Sequence, residues 1–126
     1  MSDAPVSYDG RRFRPVETTP NGEASGETLF EYRQEGDTVW ATYRGGAVTL
    51  GTLVARVEAG GALDMRYAHA AADGAMRTGV CRSVPETLPD GRLRLHETWR
   101  WTDPPDGVEA AGTSIVEEVA ADRVAP

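Results

Sequence analysis

The feature that most restricts this chain is its punctuation. Clusters bearing glycine or proline recur at Glu35-Gly36-Asp37, Gly45-Gly46, Gly60-Gly61, Asp73-Gly74, Pro89-Asp90-Gly91 and Asp103-Pro104-Pro105-Asp106-Gly107. Each supplies the positive or fixed φ that a chain reversal needs. Between them lie runs of about 8 to 12 residues with alternating character and many β-branched or aromatic side chains, which predicts antiparallel strands joined by hairpins. Strands are expected near 12–17, 27–34, 37–44, 47–57, 62–70, 75–84, 91–102 and 112–119. Pro15 weakens the first, because it cannot donate to a ladder. Ser114–Val119 is too short for periodicity to separate a strand from a helical turn. Residues 1–11 and 120–126 are expected as tails and 18–26 as a loop, leaving 12–119 as a single domain. Closing eight such strands pairs the two edges that an open sheet would expose. Their interior would hold either packed side chains or one small ligand. An up-and-down barrel is therefore expected, with an open, strongly curled sheet as the alternative.

Composition removes several functions. The net charge is −7 and all 13 basic residues are arginine, so the basic surface of a nucleic-acid binder is missing and no nucleic-acid partner is expected. No apolar run approaches the roughly 20 residues of a membrane span. Met1-Ser2-Asp3-Ala4-Pro5 carries neither a basic region nor an apolar stretch, and Cys81 is the single cysteine. These features predict a cytoplasmic protein without a disulfide framework. Two histidines and one cysteine form no metal set of recognisable spacing, and no metal or cofactor is expected. Phosphate-binding loops, nucleophile elbows and dinucleotide fingerprints are absent.

The segment Arg92–Trp101 sets the inner face. Its odd positions are Leu93, Leu95, Glu97, Trp99 and Trp101, and its even positions are polar, so odd residues point inward and Glu97 is the exception among them. If the turns at Glu35-Gly36, Gly45-Gly46, Gly60-Gly61 and Asp73-Gly74 are two residues long, directly opposed residues share a face. The rest of the interior is then Phe30, Tyr32, Val39, Ala41, Tyr43, Val48, Leu50, Thr52, Val54, Leu63, Met65, Tyr67, His69, Met76, Thr78 and Val80. Trp40, Leu53 and Cys81 fall on the outer face, where Trp40 and Leu53 are candidates for a homodimer contact.

On this phasing His69, Thr78 and Glu97 stand side by side on three successive strands. A buried carboxylate is costly unless paired, and next to a histidine it is a candidate acid–base pair. Glu97, His69 and Tyr67 are thus the candidate catalytic groups. Phe30, Tyr32, Tyr43, Thr52, Met65, Thr78, Arg82, Trp99 and Trp101 are the candidate ligand-lining residues. The plain alternative for Glu97 is a carboxyl satisfied by neighbouring hydroxyls. Arg56, opposite Met65, and Arg82 fall toward the other end from His69, where they would pair with Glu58 or Glu86 or bind an anionic group; the plain alternative for both is an end-of-strand arginine in solvent. Cys81 is expected to pack rather than react.

Six segments carry a resemblance: Gly26–Phe30, Val39–Gly46, Gly51–Ala55, Leu63–Tyr67, Thr78–Cys81 and Leu88–Thr102. Together they resemble a family of small bacterial proteins of calycin-like, barrel-like character. Such proteins are sometimes labelled N-acetylglutamate synthase. That label is rejected here, because an acetyl-coenzyme A acyltransferase normally needs a mixed α/β fold with a pyrophosphate-binding loop, and neither is legible. The expectation is an all-β, antiparallel up-and-down meander closing into a small barrel of about eight strands, lipocalin- or streptavidin-like. Three functions fit it. One is a binder of a small, partly apolar, aromatic or conjugated molecule. The second is a cofactor-independent isomerase or cyclase of specialised metabolism. The third is a filled barrel that acts as a dimerisation or interaction module.

Overall fold

The computed structural model describes residues 6–104, 107 and 110–120. Eight strands follow one another: β1 (Arg12–Thr18), β2 (Leu29–Glu35), β3 (Thr38–Gly45), β4 (Val48–Val57), β5 (Leu63–Ala71), β6 (Met76–Thr87), β7 (Leu93–Trp101) and β8 (Ala111–Glu118). Every strand pairs antiparallel with its neighbour, and β8 pairs with β1 to close the barrel. The segment whose type periodicity left open is therefore the closing strand. Pro15 is accommodated where the β1–β8 register shifts, between Pro15 and Glu17, and Val16 stands out into solvent there. A bulge is one of the few places in a sheet that tolerates a missing N–H. No helix among the described residues is long and apolar enough to cross a membrane.

The two ends differ. At one, residues 6–11 fold beneath the barrel, where Tyr8 is fully buried and its hydroxyl donates to the Gly61 carbonyl at 2.5 Å. Tyr8 also lies 6.0 Å from Tyr32, ring to ring, so part of the expected N-terminal tail acts as a plug. At the other end, the β1–β2 connector 19–28 turns across the opening. It is tied down by Asn21 Nδ2 to the Ala111 carbonyl (2.9 Å) and by the Thr28 hydroxyl to the Gly45 carbonyl (2.9 Å).

The interior confirms most of the expected inner face and corrects the rest through turn length. Phe30, Tyr32, Val39, Ala41, Tyr43, Val48, Leu63, Met65, His69, Leu93, Leu95, Trp99 and Trp101 are buried. In β4, however, an extra residue between Val48 and Leu50 shifts the register, so Tyr43 opposes Gly51. Such a bulge flips every later side chain. Leu53 and Ala55 therefore point inward, while Leu50, Thr52 and Val54 are exposed. The β4–β5 connection is also longer than two residues, with a 3-10 turn at Ala59–Gly61, and Ala55 rather than Arg56 opposes Met65. The two shifts cancel in β5. A third does not: Ala71 and Ala75 flank the three-residue turn Ala72-Asp73-Gly74, with Gly74 at φ 92°. His69 consequently opposes Arg77 rather than Thr78. Gly79, Cys81 and Ser83 face the core, and Met76, Thr78 and Val80 do not.

Three glycines make room for rings. Gly51, Gly79 and Gly112 lie directly across the ladder from Tyr43, Tyr67 and Trp99. A Cβ at each position would collide with the ring opposite. The aromatic side chains thus lie flat against bare backbone, an arrangement that a side chain on the partner strand would forbid.

Candidate functional site

Within the barrel a cavity of about 70 Å³ runs beneath the 19–28 connector. Its walls are Phe30 and Tyr43 from β2 and β3, Leu53 from β4, Met65, Tyr67 and His69 from β5, Cys81 from β6, and Glu97, Trp99 and Trp101 from β7. Gly22, Glu23 and Ala24 of the connector roof it. That space suits a few waters or a compact ligand, and is well below the usual volume of a drug-sized site.

The mouth is a closed polar network. Tyr43 and Phe30 stack with centroids 4.5 Å apart, and the Tyr43 hydroxyl meets His69 Nδ1 at 2.9 Å. On the far side of the imidazole, Nε2 lies 2.7 Å from Glu23 Oε1. An ionised carboxylate only accepts, so we assign the proton to Nε2, and in the neutral ring Nδ1 accepts from Tyr43. Glu23 Oε2 in turn sits 3.1 Å from the Arg77 guanidinium, whose carbon lies 5.1 Å over the Trp101 ring. The Arg77 Nε is buried and has no hydrogen-bond partner among the described residues.

The deep end is the opposite. Glu97 projects inward from β7, opposite Ser83 on β6 and Ser114 on β8. Burial pushes its carboxyl up to about 7, opposed only by the nearby Ser83 hydroxyl. Among the described residues no arginine offsets the burial, because the groups gathered around Glu97 are the hydroxyls of Tyr8, Tyr32, Tyr43 and Tyr67 and the thiol of Cys81. Burial raises all of these above their ordinary values, so each stays protonated and none carries charge into the cavity. The Tyr32 hydroxyl and Ser83 Oγ are buried without a full hydrogen bond among the described residues. Ser114 is already engaged, accepting from Trp99 Nε1 at 3.0 Å and meeting the Thr18 hydroxyl at 2.8 Å.

Several expected placements change. His69 and Glu97 are not partners: His69 lies across from Arg77 at the mouth, and Glu97 across from Ser83 deeper down. Thr52 and Thr78 are exposed on the outer wall, where Thr78 bonds Thr102 at 2.6 Å. Arg82 is exposed and pairs with Glu58, and Arg56 likewise points to solvent. Leu53 and Cys81 move from the outer face into the cavity wall, and Trp40 stays outside, 40% exposed. Tyr32 lies below the cavity floor, and Phe30, Tyr43, Met65, Tyr67, Trp99 and Trp101 line the walls.

Glu23, Arg77 and Ser83 escaped the sequence reading. Arg77 and Ser83 share the β6 reversal, and Glu23 sits on a connector that strand alternation does not phase. The signal for Glu23 was length, since a long connector among tight hairpins is commonly functional. No cluster of three or more His, Cys, Asp or Glu able to hold a metal ion is present among the described residues.

No curated protein matches the chain. A family model does, that of the avidin-like proteins, over residues 6–119, the whole span from the Tyr8 plug to the end of the closing strand. The chain belongs to the avidin-like protein family.

Proposed function

We propose that the barrel binds a compact, partly apolar small molecule, aromatic or conjugated in its body and polar at its deep end. The observation that carries this reading is Glu97, an acid held inside a cavity with no cation among the described residues to balance it. A protein that needed only a packed core would gain stability by replacing that carboxyl with an apolar group. Phe30, Tyr43, Tyr67, Trp99 and Trp101 provide flat walls for such a body. Glu97 provides the polar anchor in the cavity wall, and the buried hydroxyls of Ser83 and Tyr32 lie behind it. Native mass spectrometry of the freshly purified protein tests this directly. A retained small molecule, lost or weakened at least about tenfold in Glu97→Gln, supports the reading. A Glu97→Gln protein that holds the same molecule equally well overturns the role of Glu97.

A second reading has its own support. A carboxyl near 7 is well placed to move a proton at neutral pH, as a cofactor-independent isomerase or cyclase would require. Glu97→Gln that keeps affinity but abolishes turnover selects this enzyme over the binder. For the outer wall, Trp40 lies across the ladder from exposed Val54, and this apolar pair supports a homodimer contact that no longer includes Leu53. Size-exclusion chromatography with light scattering should find a dimer that Trp40→Glu converts to monomer. A wild-type monomer, or a dimer indifferent to the substitution, removes that proposal.

A further inference from the structure

The mouth network is built like a carboxylate site that already has an occupant. Glu23 reaches it from the 19–28 connector rather than from the barrel wall, and its two oxygens bridge His69 Nε2 and the Arg77 guanidinium. The receiving groups, by contrast, are set rigidly. His69 and Arg77 are directly opposed across β5 and β6. The imidazole is fixed from behind by the Tyr43 hydroxyl, and the guanidinium rests against Trp101. Both side chains are mostly buried, at 6% and 13% exposure, so the arginine's charge lies where water screens it little. Glu23 does not saturate this pair, because the buried Arg77 Nε is left without an acceptor among the described residues. A guanidinium edge with one donor unused is a poor fit for its current partner and a good fit for a planar oxyanion that approaches it squarely. In a chain of net charge −7, a half-enclosed guanidinium with an imidazole N–H beside it, both aimed at one carboxylate, is a local exception.

We propose that His69 and Arg77 capture the carboxylate of a small organic acid in the place now held by Glu23, which serves as an internal, displaceable stand-in for it. This inference rests on the reading of the cavity as a small-molecule site and names the charge of the ligand's outer end. The acid's apolar body would then extend down past Tyr67 and Trp99 toward Glu97, so one molecule would be held anionic at the mouth and hydrogen-bonded below. Displacing Glu23 also lifts a roof residue and enlarges the cavity for that body.

Propanoate and benzoate, each compared with its amide, are the probes. Their binding is read by the fluorescence of Trp99 and Trp101 and by the melting temperature of the folded protein. Removing the stand-in by Glu23→Ala should strengthen binding of at least one of the acids about tenfold or more over wild type. That acid should also raise the melting temperature of Glu23→Ala toward the wild-type value. Its amide should do neither, and Arg77→Gln added to Glu23→Ala should abolish both effects. Glu23→Gln keeps the size and hydrogen bonding of the loop residue; it should show the same selectivity and serves where the alanine variant folds poorly. Equal binding of acid and amide in the Glu23 variants, or no gain over wild type, overturns the inference. If benzyl alcohol, a neutral probe, still quenches the cavity tryptophans in that case, only the carboxylate assignment falls. If no probe enters any variant, the small-molecule reading falls with it.

Discussion

The two ends of the cavity spend their polar groups in opposite ways. At the mouth, Tyr43, His69, Glu23 and Arg77 form a chain in which each side chain meets the next, with the Arg77 Nε left over among the described residues. Deeper in the barrel, Glu97, Ser83 and Tyr32 gather with scarcely a complete hydrogen bond between them. β6 supplies both ends, Arg77 at the mouth and Ser83 below, so the position of a residue along one strand does not by itself decide whether it is paired. What separates them is the connector 19–28, which delivers Glu23 as a counter-charge to the mouth and has no equivalent below. The deep end meets only the Tyr8 plug, which brings a hydroxyl already committed to Gly61. One end therefore carries a counter-charge supplied by the chain itself, and the other has none among the described residues.

The largest expected effect sharpens this contrast through pH. The Glu97 carboxyl sits near 7 against an ordinary 4.5, so the folded state holds its proton more tightly than the unfolded chain does. Its contribution is complete below about pH 4.5 and is lost as pH rises toward 7, by roughly 3 kcal/mol at about 1.4 kcal/mol per unit. Above that window the folded protein carries an unpaired buried charge. Glu97→Gln should remove the loss, making the variant the more stable protein at pH 8 and nearly its equal at pH 4. Urea denaturation across that range measures it. A wild-type stability that does not fall between pH 4.5 and 7 relative to Glu97→Gln would mean that Glu97 is compensated after all, and the contrast between the two ends would be broken.

A smaller effect tests the walls that the two ends share. Gly79→Ala should cost about 1–3 kcal/mol, because its Cβ would enter the Tyr67 ring across the ladder. Part of that cost should vanish when Tyr67 is itself shortened to alanine, a coupling that a double-mutant cycle reads, and the rest should remain as the approach of the new Cβ to the Arg100 carbonyl. Gly112→Ala should couple to Trp99 in the same partial way, because its Cβ would meet both the Trp99 ring and the Thr19 hydroxyl. Additive costs would show that the glycines make room for the Arg100 carbonyl and the Thr19 hydroxyl rather than for the rings.

These same glycines explain how much of the molecule was legible. Closure, strand number and the β7 face followed from alternation and turn spacing, since ten residues of unbroken period two in Arg92–Trp101 leave one face to bury. The faces of β4 and β6 did not follow, because each depended on a turn or bulge whose length differs by a single residue. The cue was present in Gly51 and Gly79. A glycine inside a strand commonly marks a close approach on its own face, and here both lie inward under tyrosine rings. Glu97 and His69 were recognisable as inward polar groups, but their partners were not. Glu23 belongs to a connector without periodicity, and Arg77 and Ser83 to the strand whose phase was reversed.

The smallest effect compares two tyrosine hydroxyls of similar burial and unlike company. Tyr43 and Tyr32 are 4% and 1% exposed, so the loss of an oxygen opens much the same space in either place. Tyr43 donates to His69 Nδ1, and Tyr43→Phe strands that nitrogen and should cost about 1 kcal/mol. The Tyr32 hydroxyl has no partner among the described residues, and Tyr32→Phe should lie within about 0.5 kcal/mol of wild type or be slightly more stable. The order should reverse for a ligand that reaches the deep end: its affinity should fall in Tyr32→Phe while the stability of the empty barrel does not. A stability cost for Tyr32→Phe equal to that for Tyr43→Phe would mean that the deep hydroxyl is already bonded in the resting protein. The polar groups around Glu97 would then be part of the fold, as those at the mouth are, and no longer a place held for a ligand.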